Sequence, residues 1–272
     1  MPQLMGIVNV TPDSFSDGGD YLAPEAAIAH GRALVAEGAD LLDIGGESTR
    51  PGAAEVGAEE ELERVLPVIE GLADVGVPIS VDTSKAAVAE RALAAGATIV
   101  NDVTALGDPE MAGVCARAGS GLVLMHMRGT PRTMQDDPIY DDLLGEVRDF
   151  LADRLAAALA AGVPEAGIWL DPGIGFGKTV EHNLELIDRL GELRDLGRPV
   201  VLGASRKTFI GKIGGREVGE RLGGSIAAAV VGHLRGADVL RVHDVAATRE
   251  AITVTDAITG ARAWRAGGAA VA

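Results

Sequence analysis

Aromatic residues are almost missing: 4 Phe, 2 Tyr and 2 Trp, or 3% of 272 residues. Hydrophobic residues still make up 47%, so a sizeable core must be packed from Ala, Val, Leu and Ile. The single cysteine, Cys115, excludes an intrachain disulfide and suits a reducing cytoplasm. In "MAGVCARAG" it reads as a buried helix position and not as a nucleophile. Long apolar runs are lacking too, since stretches such as "SIAAAVVGHL" are too short to span a bilayer. "LMGIVNV" has no basic flank and reads as a strand, not a signal peptide. Positive charge is scarce. The net charge is −16 and the lysines are just Lys85, Lys178, Lys207 and Lys212, which argues against a nucleic-acid backbone as partner. These absences predict a soluble cytoplasmic protein that acts on small molecules.

What is present is one rhythm. Short aliphatic runs alternate with longer Ala/Leu/Glu/Arg segments of helical period. The strand candidates are "LMGIVNV", "DLLDIGG", "PISVDT", "TIVNDV", "GLVLMH", "GIWLDP", "PVVLGAS" and "VLRVHD". Helical segments such as "PEAAIAHGRALVAEGA" and "SKAAVAERALAAGA" follow them, and several close on a Gly before the next strand. Eight such units without a break in composition predict an α/β (β/α)8 TIM barrel as a single domain over residues 1–260. Residues 261–272 read as a loosely held tail. A doubly wound open sheet is the alternative, but the GxGxxG turn it would carry after the first strand is absent.

"DPGIGFGKT", Asp171 to Thr179, superficially matches a phosphate-cradling loop. The first Gly of that loop is replaced by Pro172, which fixes φ and offers no N–H, so the nucleotide reading fails. On that reading Lys178 is a bystander, with ATP unbound and Lys178→Ala leaving turnover largely intact. Asp171 belongs instead to a series of polar strand ends with Asn9, Asp43, Asp82, Asn101, His126, Ser205, Arg206, Lys207, Arg241 and His243. Any one of these could cap the following helix. So many together mark the C-terminal mouth of a barrel, where active sites of this fold lie. Carboxylates and an amide suit N–H donors on a ligand rim, and the cations suit an anion, so the ligand combines a guanine-like heterocyclic edge with a phosphate group. Two long loops, "TPDSFSDGGDYL" and "GESTRPGAAEVG", follow the first and second strands and are of the sort that closes over substrate.

In order along nearly the whole chain, "MGIVNVTPDSFSDGG", "DIGGESTRPGA", "SVDTSK", "NDV", "LMHMRGTPRTMQ", "DPGIGFGKT", "GASRKTFIG" and "RVHDV" resemble the dihydropteroate synthases, the folate-pathway enzymes inhibited by sulfonamides. The resemblance implies condensation of a dihydropterin diphosphate with 4-aminobenzoate. It implies that Asp171, Asn101 and Lys207 hold the pterin edge, with Asp82 beside the ring, Arg241 stacked on it, and Met125 and Phe176 lining the pocket. Thr49, Arg50, Arg241 and His243 match positions near the diphosphate, and Asn9 matches a ligand of Mg2+. Phe15, Pro51 and Thr208 match positions near 4-aminobenzoate; the family commonly has Ser where Thr208 stands. Asp82, Lys207, Arg241 and Asp17 are the residues to which the resemblance assigns the chemistry, and the family is typically a homodimer. Two other readings stay open: a pterin-binding methyltransferase domain, which would lack the "NVTPDSFSDGG" loop, and a non-catalytic binding paralogue, whose first two loops would be degenerate.

Overall fold

A computed structural model describes residues 1–11, 24–49, 52–136 and 138–261. Their eight strands are all parallel: β1 (Gln3–Asn9), β2 (Leu41–Gly45), β3 (Ile79–Asp82), β4 (Ile99–Asp102), β5 (Gly121–Met125), β6 (Ile168–Asp171), β7 (Val201–Leu202) and β8 (Val239–Val242). They run side by side in the order β6-β5-β4-β3-β2-β1-β8-β7. A parallel bridge from Leu170 to Val200, with Leu170 N–H donating to Pro199 O at 2.9 Å, joins the two ends. The sheet is a (β/α)8 barrel with long loops after β1 and β2. The sequence reading of the fold stands.

Helices α1 (Pro24–Ala36), α2 (Ala58–Gly71), α3 (Ala86–Ala94), α4 (Met111–Ala118), α5 (Leu143–Ala160), α6 (Val180–Asp188), α7 (Thr208–Gly214), α8 (Leu222–Leu234) and α9 (Val245–Thr259) flank the strands. With helices outside and side chains inside, β2, β3 and β4 are buried along their whole length. That is why these strands read as aliphatic runs rather than as alternating ones. Local chemistry sets the helix ends. Thr179 accepts from His182 N–H while its own N–H donates to the His182 ring, a capping box that starts α6. Gly38, Gly96 and Gly236 take positive φ after α1, α3 and α8, so the chain can turn at once into the next strand.

Side chains two residues apart on a strand share a face, and the barrel interior follows from that. Met5, Leu41, Ile99, Val123, Val201 and Val239 pack together inside the barrel, with Trp169 against them. Two positions further along the chain from these stand Ile7, Asp43, Asn101, Met125, Gly203 and Arg241, with Asp171 above Trp169. An apolar layer thus closes the bottom and a polar layer opens toward the C-terminal mouth. β7 is shorter than its sequence run suggests, because beyond Leu202 the chain leaves the ladder with β8.

The loop after β6 turns on Gly173, whose φ is 69°. A Cβ built there would lie 1.8 Å from the His126 carbonyl oxygen, which no rotamer change can relieve. Gly173→Ala is expected to cost at least about 1–3 kcal/mol of stability and to displace Asp171. Chemical denaturation beside a pterin titration checks it, and a variant equal to wild type in both would show that this loop is not constrained as described.

Candidate active site

Arg241 lies at the centre of the mouth. Its Nε donates to Asp43 Oδ2 at 2.6 Å and its terminal nitrogen to Asp82 Oδ2 at 2.8 Å. Asn101 Nδ2 donates to the same Asp43 oxygen at 3.0 Å. The other Asp43 oxygen is buried with no partner among the described residues. One cation therefore serves two buried carboxylates. Burial raises the Asp82 pKa to about 7, with Arg241 pulling down and Asp43 pushing up. Burial works against charge on Arg241, but the two carboxylates outweigh it and push its pKa up.

Asp171 and Lys207 form the facing wall. Asp171 Oδ1 accepts from Gly173 N–H at 2.7 Å. Burial raises the Asp171 pKa, and the Lys207 charge opposes that rise. Lys207 Nζ donates to the Ile174 carbonyl and lies 4.6 Å from the Phe176 ring centroid. Burial lowers its pKa to about 8, against the pull of Asp171. The two walls meet at Gly203, where a Cβ would lie 3.8 Å from Asp171 Oδ2, 3.8 Å from Lys207 Nζ and 3.9 Å from Arg241 Cβ. The missing side chain leaves open a space bounded by the Asp171 acceptor, the Lys207 donor and the base of the Arg241 side chain.

A cavity of about 810 Å³ opens there. Asn9, Thr49, Asp82 and Phe176 line it, as do Lys207, Thr208, Arg241 and His243. Asn101, Met125 and Asp171 are buried at the ends of β4, β5 and β6, and Met125 sits in register with Asp171. Phe15, Asp17, Arg50 and Pro51 lie outside the described residues. His243 is held by Ser205, whose Oγ is 3.0 Å from the ring Nδ1. Between Ser205 and Lys207, Arg206 adopts φ 57°, a left-handed conformation that costs a non-glycine residue of order 1–3 kcal/mol. Its bonds to Asp244 at 2.6 and 3.1 Å and to Ser225 Oγ at 2.9 Å hold it there. This turn lets successive residues serve the mouth and the protein body.

Lys178 departs from the sequence reading, in which it was a bystander. It is 3% exposed and lines the cavity. Its Nζ is 2.9 Å from His126 Nδ1 and 3.0 Å from the Phe176 carbonyl oxygen. Burial, reinforced by Lys178, lowers the His126 pKa to about 3, so the ring is neutral and Nδ1 accepts. Burial lowers the Lys178 pKa to about 7, with Asp171 opposing. Lys178 shares the holding of the turn that presents Phe176 with Gln135, Tyr140 and Asn183, which bond to Gly175 and Gly177, and the one-dimensional motif gave no sign of it.

A definite pH signature follows. With a folded pKa below its ordinary 10.5, Lys178 binds fewer protons in the folded chain than in the unfolded one between pH 7 and 10.5. Its charge thus opposes folding fully below pH 7 and progressively less above it. The stability of Lys178→Met relative to wild type is expected to fall by roughly 3–5 kcal/mol from pH 6 to pH 10. Denaturant titrations at both pH values test this, and a pH-independent difference would refute it. Turnover of the variant is expected to drop about tenfold through loss of the bridge to Phe176.

Eight parallel strands with carboxylates, an amide, a lysine and an arginine at their C-terminal ends define a barrel enzyme for a heterocycle bearing an anion. A family model described as pterin binding enzyme matches residues 5–243. Dihydropteroate synthase of Neisseria meningitidis serogroup B is 50% identical over 264 residues, 94% of this chain and 93% of that protein. The structure of Xanthomonas albilineans dihydropteroate synthase with 4-aminobenzoic acid superposes with TM-score 0.90 at 52% identity, covering 95% of this chain and 93% of that one. The same enzyme in complex with 7,8-dihydropteroate gives TM-score 0.87 at 49% identity, with 95% and 94% covered. The chain belongs to the pterin-binding enzymes and, among them, to the dihydropteroate synthases.

Proposed function

We propose that this mouth condenses 6-hydroxymethyl-7,8-dihydropterin diphosphate with 4-aminobenzoate to give 7,8-dihydropteroate and diphosphate. The observation that carries the assignment is the convergence of Asp171, Lys207 and Arg241 on the space left by Gly203. The Asp171 carboxylate accepts the 2-amino and N3 protons of the pterin, Lys207 donates to O4, and Asn101 completes the edge. Arg241 covers one face of the ring, and Phe176 and Met125 close the pocket. Thr49 and His243, with Arg50, receive the diphosphate. Phe15, Pro51 and Thr208 receive 4-aminobenzoate.

The C–O bond to diphosphate breaks with its electron pair leaving on oxygen, and the aminobenzoate nitrogen bonds to the methylene carbon and gives its proton to solvent. Positive charge on the pterin is offset by the carboxylates of Asp82 and Asp17. No nucleophilic side chain is required.

Asn9 lies at the end of β1 and lines the cavity with Thr49 and His243. No cluster of three or more His, Cys, Asp or Glu suited to a metal occurs among the described residues. One hard oxygen beside a diphosphate site fits Mg2+, which keeps several waters and takes its other ligands from substrate phosphates. When bound, the cation supplies charge compensation for the departing diphosphate. Asn9→Ala is expected to lower turnover at least tenfold while pterin binding without Mg2+ stays within about twofold. Unchanged turnover with intact Mg2+ dependence removes Asn9 from the reaction.

Production of dihydropteroate from the two substrates by the purified chain is the direct test, and absence of product overturns the assignment. Homodimerisation through α8 and α9 is proposed as well, since Leu234, Val254 and Ile258 are 54%, 52% and 79% exposed on neighbouring helices. Residues 1–260 are proposed to act as one domain in the cytoplasm. No helix among the described residues is long and apolar enough to cross a membrane.

A further inference from the structure

The loop after β2 has its base held by an ionic clasp. Glu47, at the start of the loop, accepts from Val56 N–H at its far end through Oε1 at 2.9 Å. Its Oε2 accepts from Lys85 Nζ at 2.6 Å. Lys85 precedes α3, three residues past Asp82, and donates in addition to Glu61 Oε2 at 2.7 Å. Glu61 comes from the first turn of α2 and is fully buried, its other oxygen without a partner among the described residues. Arg64, also on α2, donates to the Gly46 carbonyl at 2.7 Å.

A fully buried carboxylate is costly unless a cation meets it. Lys85 meets it and at the same time holds Glu47, whose side chain ties the start of the loop to the Val56 backbone at its far end. Burial works against charge on Lys85, but its bonds to Glu47 and Glu61 outweigh burial and push its pKa up, so the clasp stays ionic through neutral pH. Glu47 lines the cavity, and so does Thr49 two residues on.

We propose that Lys85 is a positioning residue: by holding Glu47 against the Glu61 anchor it places Thr49 at the diphosphate end of the cavity. This rests on the reading of Thr49 as a diphosphate residue. Asp171 and Lys207, which meet the pterin edge, stand on the facing wall and make no bond to the clasp, so its loss should harm recognition of the diphosphate more than that of the ring.

Calorimetric titrations of wild type, Lys85→Met and Lys85→Arg with 6-hydroxymethyl-7,8-dihydropterin diphosphate and with 6-hydroxymethylpterin separate the two, alongside steady-state kinetics. Lys85→Met is expected to weaken the diphosphate about tenfold or more and to raise its KM similarly. Its affinity for 6-hydroxymethylpterin should stay within about twofold, and Lys85→Arg should recover most of the loss. Should Lys85→Met fail to fold, Glu47→Gln carries the test. It keeps the acceptor for Val56 and removes the ion pair, and the same selective loss is expected. Equal losses for both ligands, or none, in an active folded variant overturn the inference and leave the activity standing. A wild-type chain that binds the diphosphate no tighter than the hydroxymethyl compound removes the reading of Thr49 and the clasp with it.

Discussion

Asp171→Asn is expected to weaken binding of the pterin diphosphate by about two orders of magnitude or more. One carboxylate oxygen is already committed, since Asp171 Oδ1 accepts from Gly173 N–H at 2.7 Å. The other lies on the side of Gly203, in the space shared with Lys207 and Arg241. An amide has one oxygen and one NH2. If the oxygen keeps the bond to Gly173, the NH2 faces the N–H donors of the pterin; if it turns over, the loop loses its anchor. Either way a charge-assisted bond is lost and a donor is left buried against a donor, for a combined cost of roughly 3 kcal/mol or more. Lys207 and Lys178 lose a counter-charge as well, because Asp171 raises the pKa of both. Calorimetry of the ligand against folded Asp171→Asn, with circular dichroism to verify the barrel, decides the matter. Near-wild-type affinity would place the pterin edge elsewhere.

Arg241→Met is expected to cost about 3–5 kcal/mol of folding stability and at least a hundredfold in turnover. Methionine fills much of the volume, so the loss is electrostatic. Asp43, fully buried, and Asp82, 9% exposed, would face each other without the cation that now bonds to both. Asn101 would remain held to Asp43, so part of the pterin-edge geometry should survive.

The deficit also has a sign in pH. The Asp82 pKa is already raised from 3.8 to about 7 by burial, and removal of Arg241 takes away the main influence that lowers it. A carboxyl with a raised folded pKa binds more protons folded than unfolded, so its favourable contribution is fully present below 3.8 and is lost as pH rises through the folded value. The variant should therefore lie closest to wild type near pH 5 and furthest from it above pH 7. Urea titrations at pH 5 and 8 check this; a stability loss independent of pH would show that the carboxylates are not what the guanidinium compensates.

Much of the site was visible in one dimension because a barrel strand has a period of two and ends at the mouth. Reading two residues on from Leu41, Ile99, Trp169 and Val239 leads to Asp43, Asn101, Asp171 and Arg241. Asp43 was visible as a polar strand end, but its use was not. It touches Arg241 from 198 residues away, and only closure of the barrel sets that distance at 2.6 Å. Lys178 gave no usable signal. Its neighbour His126 lies 52 residues earlier, and burial of the pair depends on how the β6 loop folds over β5. The same holds for Lys85, whose partners Glu47 and Glu61 are brought to it from 38 and 24 residues away.

By itself the sequence determined the alternation of eight strands with helices, the absence of disulfides within the chain, and the residue types carried to the mouth. Those properties come from local periodicity and from side-chain chemistry, which need no partner to be read. Tertiary structure alone decided which carboxylate each cation serves, and it pushed the Asp82 pKa to about 7 and the Lys178 pKa to about 7. It also made a left-handed Arg206 tolerable by placing Asp244 beside it. Desolvation and charge pairing act through space and fall off over a few ångströms, so they depend on contacts between segments far apart in sequence, such as those of Arg241 with Asp43 and of Lys178 with His126.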